Sequence, residues 1–212
     1  MQGNEPMPGN PWPHDMVLSI EEHDDRLLRL LFVREAWGLG LGGVPALAGV
    51  VDLGESAPPA GFDREAAEVT WREEWAVSWQ RFDEFDRQVR PPDAATRALL
   101  DATPDGELSS VFSVPPSTFW NAGFDSEAFS RWRRALIYRS LERQRAPLEE
   151  SPERRSLPAL IAAWEGGLKQ IVQLPVTGYF AERISPGCLV VSEETRFDRG
   201  LYDRALNEGA AR

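Results

Sequence analysis

Residues 173–195 read QLPVTGYFAERISPGCLVVSEET. Two runs, Gln173 to Ser185 and Cys188 to Thr195, are rich in the β-branched and aromatic residues that suit extended chain. Pro186-Gly187 separates them and fits a two-residue turn, so the stretch reads as a β-hairpin. The chain before it is dominated by helical patterns. That contrast sets the expected class: α+β, helix-dominated, with about five helices around a Trp-rich core. One or two small antiparallel strand pairs complete it, at 173–195 and near Leu108 to Val114.

The strongest helical pattern runs from Asp63, a capping residue, to Arg90, where Pro91-Pro92 stops it. Trp71, Trp75, Trp79, Phe82 and Val89 fall on one face, with Phe85 beside them. Asp93 caps a shorter helix to about Ala102. A second strong helix is predicted from Asp125 or Ser126 to about Arg145, burying Phe129, Trp132, Leu136 and Leu141. A third starts near Ser156, takes Pro158 in its first turn and runs to about Val172. Residues 198–207 close the chain as a short helix. Nearer the N-terminus, Ser19-Ile20-Glu21-Glu22 fits a capping box for a helix over about 20–37. A strand through 27–33 competes with it, because that run is short and densely apolar. Residues 38–61, Gly/Pro-rich with a short apolar segment at 44–53, read as a connector with one strand or one helical turn, and 146–155, with two prolines, as a linker. Residues 1–15 form a tail, flexible or docked through Trp12 between Pro11 and Pro13, and 16–212 a single globular domain.

The glycines of GLGLGG, residues 38–43, match the G-x-G-x-x-G spacing of a dinucleotide loop. The context does not match. The preceding segment reads as a helix, Pro45 and Gly49 interrupt the segment after the glycines, and no parallel βαβ pattern is evident elsewhere. A helix C-cap with a turn beyond it explains the same residues.

The chain has 212 residues, 42% of them apolar, and a net charge of −11. Residues 1–105 carry 20 acids and 9 arginines, and residues 106–212 carry 14 acids and 14 bases, so the acidity belongs to the first half. This opposes general nucleic-acid binding and admits a basic protein partner. No apolar run is long enough for a membrane helix and no signal-peptide pattern opens the chain. One cysteine, Cys188, excludes an internal disulfide and suits a reducing, cytoplasmic setting.

No catalytic constellation emerges. Glu21-Glu22-His23-Asp24-Asp25 is the densest set of metal-ligating residue types, but two histidines and one cysteine leave too few soft ligands for zinc, and an acidic first helical turn explains the run. Cys188 reads as a buried strand thiol. The helix over 125–145 carries six arginines against three acids, a local surplus of +3. Its arginines are expected to pair with the acidic long helix.

These features predict a non-catalytic, cytoplasmic protein-binding module of inhibitor, immunity or adaptor type, needing neither cofactor nor metal. Its contact residues would be Trp12, Asp83, Glu84 and Asp86. The alternative is a small-molecule-binding protein or hydrolase with a Trp/Arg-lined pocket, in which Arg131, Arg134 and Tyr138 hold an anionic substrate. Nucleic-acid binding through 131–145 stands third. Reversing the charges at Asp83, Glu84 and Asp86 is expected to slow association with a basic protein partner and leave the unfolding midpoint unchanged. Stopped-flow binding and thermal denaturation read the two effects.

Overall fold

A computed structural model describes residues 11–88, 119 and 125–210, with backbone alone at 81, 83–88, 209 and 210. The expected elements at 93–102 and 108–114 lie outside the described residues, as does the end of the long helix. The class is α+β and helix-dominated. The described elements are strands β1 (Ser19–Glu21), β2 (Gln170–Leu174), β3 (Ala181–Ser185) and β4 (Cys188–Ser192). The helices are α1 (Asp25–Ala36), α2 (Arg64–Gln88), α3 (Ser126–Arg143), α4 (Pro152–Arg155), α5 (Leu157–Glu165), α6 (Glu193–Phe197) and α7 (Arg199–Ala210).

The hairpin is present: β3 and β4 pair antiparallel around Pro186-Gly187, with a register shift between Arg183 and Ser185. It is one edge of a four-stranded mixed sheet of order β1-β2-β4-β3. Two pairings are parallel, β1 with β2 and β2 with β4, which corrects the expectation of antiparallel pairs alone. Side chains alternate across the sheet. Ile171, Leu189 and Val191 face Leu160 of α5 and Tyr202, Ala205 and Leu206 of α7. Val172, Leu174, Cys188 and Val190 face Leu27 and Leu31 of α1 and Trp79 and Phe82 of α2. Helices therefore cover both faces, which is why β2 and β4 are buried at every position. Cys188 is the buried strand thiol expected.

Helix α1 sits at the centre. Leu27 and Leu31 meet the sheet, Leu30, Val33 and Trp37 meet Trp71, and Leu28 and Phe32 meet Phe129 and Leu136 of α3. A helix buried on three sides is apolar all round, so its sequence resembles a strand. It starts at Asp25, five residues later than the capping-box expectation. Ser19–Glu21 is extended, with the Ser19 amide donating to the Lys169 carbonyl at 2.9 Å, and Asp24 supplies the cap by accepting from the Leu27 amide at 2.8 Å. The third strong helix also departs from expectation. It ends at Glu165, because Gly167 turns the chain at φ +102° and the Leu168 amide returns to the Ala163 carbonyl.

The Trp stripe of α2 is core. Trp71 and Trp79 are buried and Trp75 half-buried; Trp71 and Trp75 stack at 4.8 Å, and the Trp71 indole donates to the Leu30 carbonyl at 2.7 Å. The glycine run is a helix C-cap. Gly38 has φ +59°, and the Leu39 amide bonds back to the Arg34 carbonyl. No helix comes directly after the run; Glu68 accepts from the Gly40 amide and Arg34 binds the carbonyls of Val44 and Pro45, so the loop is tied down.

Loop 52–56 and the start of α3 cap each other. Asp125 accepts from the amides of Glu127 and Ala128 and of Glu55, while Ser56 accepts from the Asp125 amide. Gly54, at φ +56°, lies so close that a Cβ there would overlap Asp125 and the Ala128 methyl, 2.7 Å away. Gly54→Ala is therefore expected to cost about 2–4 kcal/mol, combining left-handed strain with the forced opening of this joint. Urea denaturation measures it; a cost below about 1 kcal/mol would mean the joint yields freely.

Candidate functional site

Three parallel strands end at one edge of the sheet, and each carries polar residues at or just past that end. After β1 come Glu22 and His23. Near the end of β2 stands Gln173. Ser192, the last residue of β4, caps α6 by accepting from the Thr195 amide at 3.0 Å, and this short helix carries Arg196 over the edge. Carboxyl ends of parallel strands are where open α/β sheets hold ligands, because the loops there are free to diverge.

Arg196 organises the edge. Its side chain is 6% exposed. Nε donates to Glu153 Oε1 at 2.7 Å, and Nη1 donates to Glu22 and, at 2.8 Å, to Gln173 Oε1. Tyr202 adds a hydroxyl donor to Glu153 Oε1 at 3.3 Å, and Ser140 of α3 donates to Glu22 Oε2. Five helices and strands, with the β1–α1 junction, thus converge on one guanidinium. Burial alone would make Arg196 easier to deprotonate; the charge and hydrogen bond of Glu153 and the bond to Glu22 more than reverse this and raise its pKa. Burial and the Glu153 charge push the Tyr202 phenol well above its ordinary value. For Glu22, burial works upward, and the Ser140 hydroxyl and Arg196 outweigh it, so its carboxyl lies below the ordinary 4.5.

Beside this cluster opens a cavity of about 660 Å³. Its polar wall includes Glu22, His23, Ser140, Gln173, Glu153 and Arg196, and Ile20, Leu148 and Phe197 contribute to its apolar wall. The outer wall is the segment expected to be a linker: a 3-10 turn at Leu148–Glu150 leads into α4, which Ser151 caps at the Arg154 amide. Arg143 pairs with Glu193 and lies 4.3 Å from the Phe197 ring centroid. His23 has both ring nitrogens buried without a hydrogen bond, Nε2 being 3.9 Å from Glu22. A smaller chamber of about 210 Å³, lined by Trp12, Met16, Leu18, Ile20 and Glu153, shares Ile20 and Glu153 with the larger one.

The residues singled out in the sequence are placed elsewhere. Trp12 is half-buried and packs on the protein's own core beside the smaller chamber. Asp83, Glu84 and Asp86 lie on the last turns of α2, where only the backbone is described. Arg131, Arg134 and Tyr138 are exposed on α3; Arg131 pairs with Asp52 at 3.2 Å, and none of the three lines either cavity. The basic helix does pair internally, but with Asp25, Asp52 and Glu193 rather than with the described side chains of α2, and Leu141 is exposed rather than buried. The acidic run divides at Asp24 between strand, junction and helix. Among the described residues no group of three His, Cys, Asp or Glu side chains is placed to hold a metal, and no helix is long and apolar enough to cross a membrane.

Sequence reasoning missed Ser140, Glu153, Gln173 and Arg196. Two signals point toward them: Ser151-Pro152-Glu153 has the form of a helix start, and Ser192-Glu193-Glu194-Thr195 that of a cap directly after a strand. No family model matches the chain, and neither a curated protein nor a solved structure matches it.

Because the Glu22 pKa is lowered on folding, the stability it adds is complete above its ordinary value and drains away as pH falls below 4.5. Glu22→Gln is expected to cost about 1–3 kcal/mol at pH 7, and the gap from wild type should close toward pH 3. Urea midpoints across that range test it, and a gap independent of pH would remove the charge from the explanation.

Proposed function

We propose that the protein binds a small organic molecule in the 660 Å³ cavity at the carboxyl edge of β1, β2 and β4. One observation carries the reading: polar side chains from elements far apart in sequence, 22 to 196, converge on a cavity that also has an apolar wall. The volume lies within the range of about 300–1,000 Å³ usual for ligand sites. The polar groups are held rigidly by one another, so a ligand would meet fixed partners at little ordering cost. This is the small-molecule alternative of the sequence, moved from the Trp stripe to the strand edge. Burial of Trp71 and Trp79 withdraws them from both a pocket at the stripe and any partner surface.

The protein-binding module remains a second reading, supported by the net charge of −11 and its concentration in the first half. Of its proposed contacts, Trp12 is half-buried against the protein's own core.

Ala146 is an exposed residue of the cavity wall, so a large side chain there should obstruct the cavity without straining the core. A fragment library screened by ligand-observed NMR is expected to yield binders that lose at least about tenfold in affinity in Ala146→Trp. A library without binders, or binders indifferent to the substitution, would overturn the site.

A further inference from the structure

The charges around the cavity do not balance. Among the described residues its lining holds four carboxylates, Glu21, Glu22, Glu150 and Glu153, against two guanidiniums, Arg143 and Arg196. Both guanidiniums are already engaged. Arg196 is shared between Glu22 and Glu153, and Arg143 pairs with Glu193, which is outside the larger cavity's lining. An anion would have to displace Glu193 from Arg143, or draw Arg196 away from two buried carboxylates and leave them uncompensated. A cation would instead relieve the surplus of negative charge.

The smaller chamber adds direction. Apart from Glu153 its lining among the described residues is Trp12, Met16, Leu18 and Ile20, and Glu153, 5% exposed, borders both spaces. A positive group at Glu153 would therefore stand at the wall that the polar cavity shares with an apolar recess. We propose that the occupant is a free organic cation, a primary ammonium on an aliphatic chain, with the ammonium at Glu153 and the chain passing Ile20 into the chamber beneath Trp12. This deepens the small-molecule reading and rests on it.

The full-length protein is titrated by calorimetry with butyl-, hexyl- and octylammonium, with the matching alcohols, and with Nα-acetyl-lysine methylamide, whose blocked end does not suit an apolar recess. The ammonium compounds are expected to bind about tenfold or more tighter than the alcohols, since a charge-assisted hydrogen bond replaces a neutral one. Affinity should rise about fourfold per added methylene until the chamber fills. In Trp12→Ala that dependence on chain length should collapse. Glu153→Gln is the direct variant, but it strips a buried partner from Arg196, so the wild-type series decides the matter without it.

Equal affinity for alcohols and ammonium compounds would overturn the charge assignment. A lysine derivative that binds as tightly as hexylammonium would overturn the placement of the chain, as would chain-length dependence that survives in Trp12→Ala. If neutral or anionic fragments occupy the cavity while alkylammonium compounds do not, the ligand class is wrong and the site stands. If no fragment of any class responds to Ala146→Trp, the site itself is wrong.

Discussion

The buried guanidinium of Arg196 is the constraint on which the strand edge depends. Taking such a group out of water costs several kcal/mol even after the protein relaxes, so it must be met by charge and hydrogen bonds in good geometry. Glu22 comes from the end of β1, Gln173 from β2, Glu153 from α4, and α6 places the guanidinium among them. None of these groups is independent: displacing any one leaves Arg196 or a carboxylate buried without its partner. The edge is thus specified as a unit. The short β1, only three residues long, is held to β2 both by its ladder and by the Glu22–Arg196 pair just beyond it.

The apolar core and this polar edge divide the work. Side chains of β2 and β4 alternate between the layer of α5 and α7 and the layer of α1 and α2, so the sheet is sealed on both faces. Only the ends of the strands remain available to build a site. At the carboxyl ends the chain departs in three directions, toward α1, toward the loop after β2 and into α6, and the space between those departures is roofed by the segment from α3 to α4. The cavity is a consequence of parallel pairing: had β1 run antiparallel to β2, Glu22 and His23 would lie at the far end of the sheet from Arg196.

What could be read in the sequence was local. The hairpin announced itself through Pro186-Gly187, α2 through Asp63 and the Trp spacing, α3 through Asp125, and the glycine run through its helical context; all four are in the fold. What escaped reading was non-local. Ser19-Ile20-Glu21 has the residues of a helix cap, and only a partner about 150 positions away makes it a strand. Ile171 and Val172 continue the helical spacing of α5, and the twin glycines that stop it outweigh that continuity. The site is more distributed still. Its members at 22, 140, 153, 173 and 196 form no spacing motif, because their proximity is a property of the sheet order.

The same geometry links the site to stability. Glu22 and Glu153 both neutralise Arg196 and face the cavity, so any occupant that engages them alters the charge balance of the buried pair. A ligand that leaves Arg196 compensated adds its binding free energy to the folded state by mass action. One that competes for Arg196 must first break interactions that hold β1, β2, α4 and α6 together, and its apparent affinity falls by that cost. With a ligand in the proposed site, the electrostatic arrangement that makes the edge rigid would therefore also discriminate among ligands by sign. That discrimination would come from residues committed to the fold rather than from groups set aside for recognition.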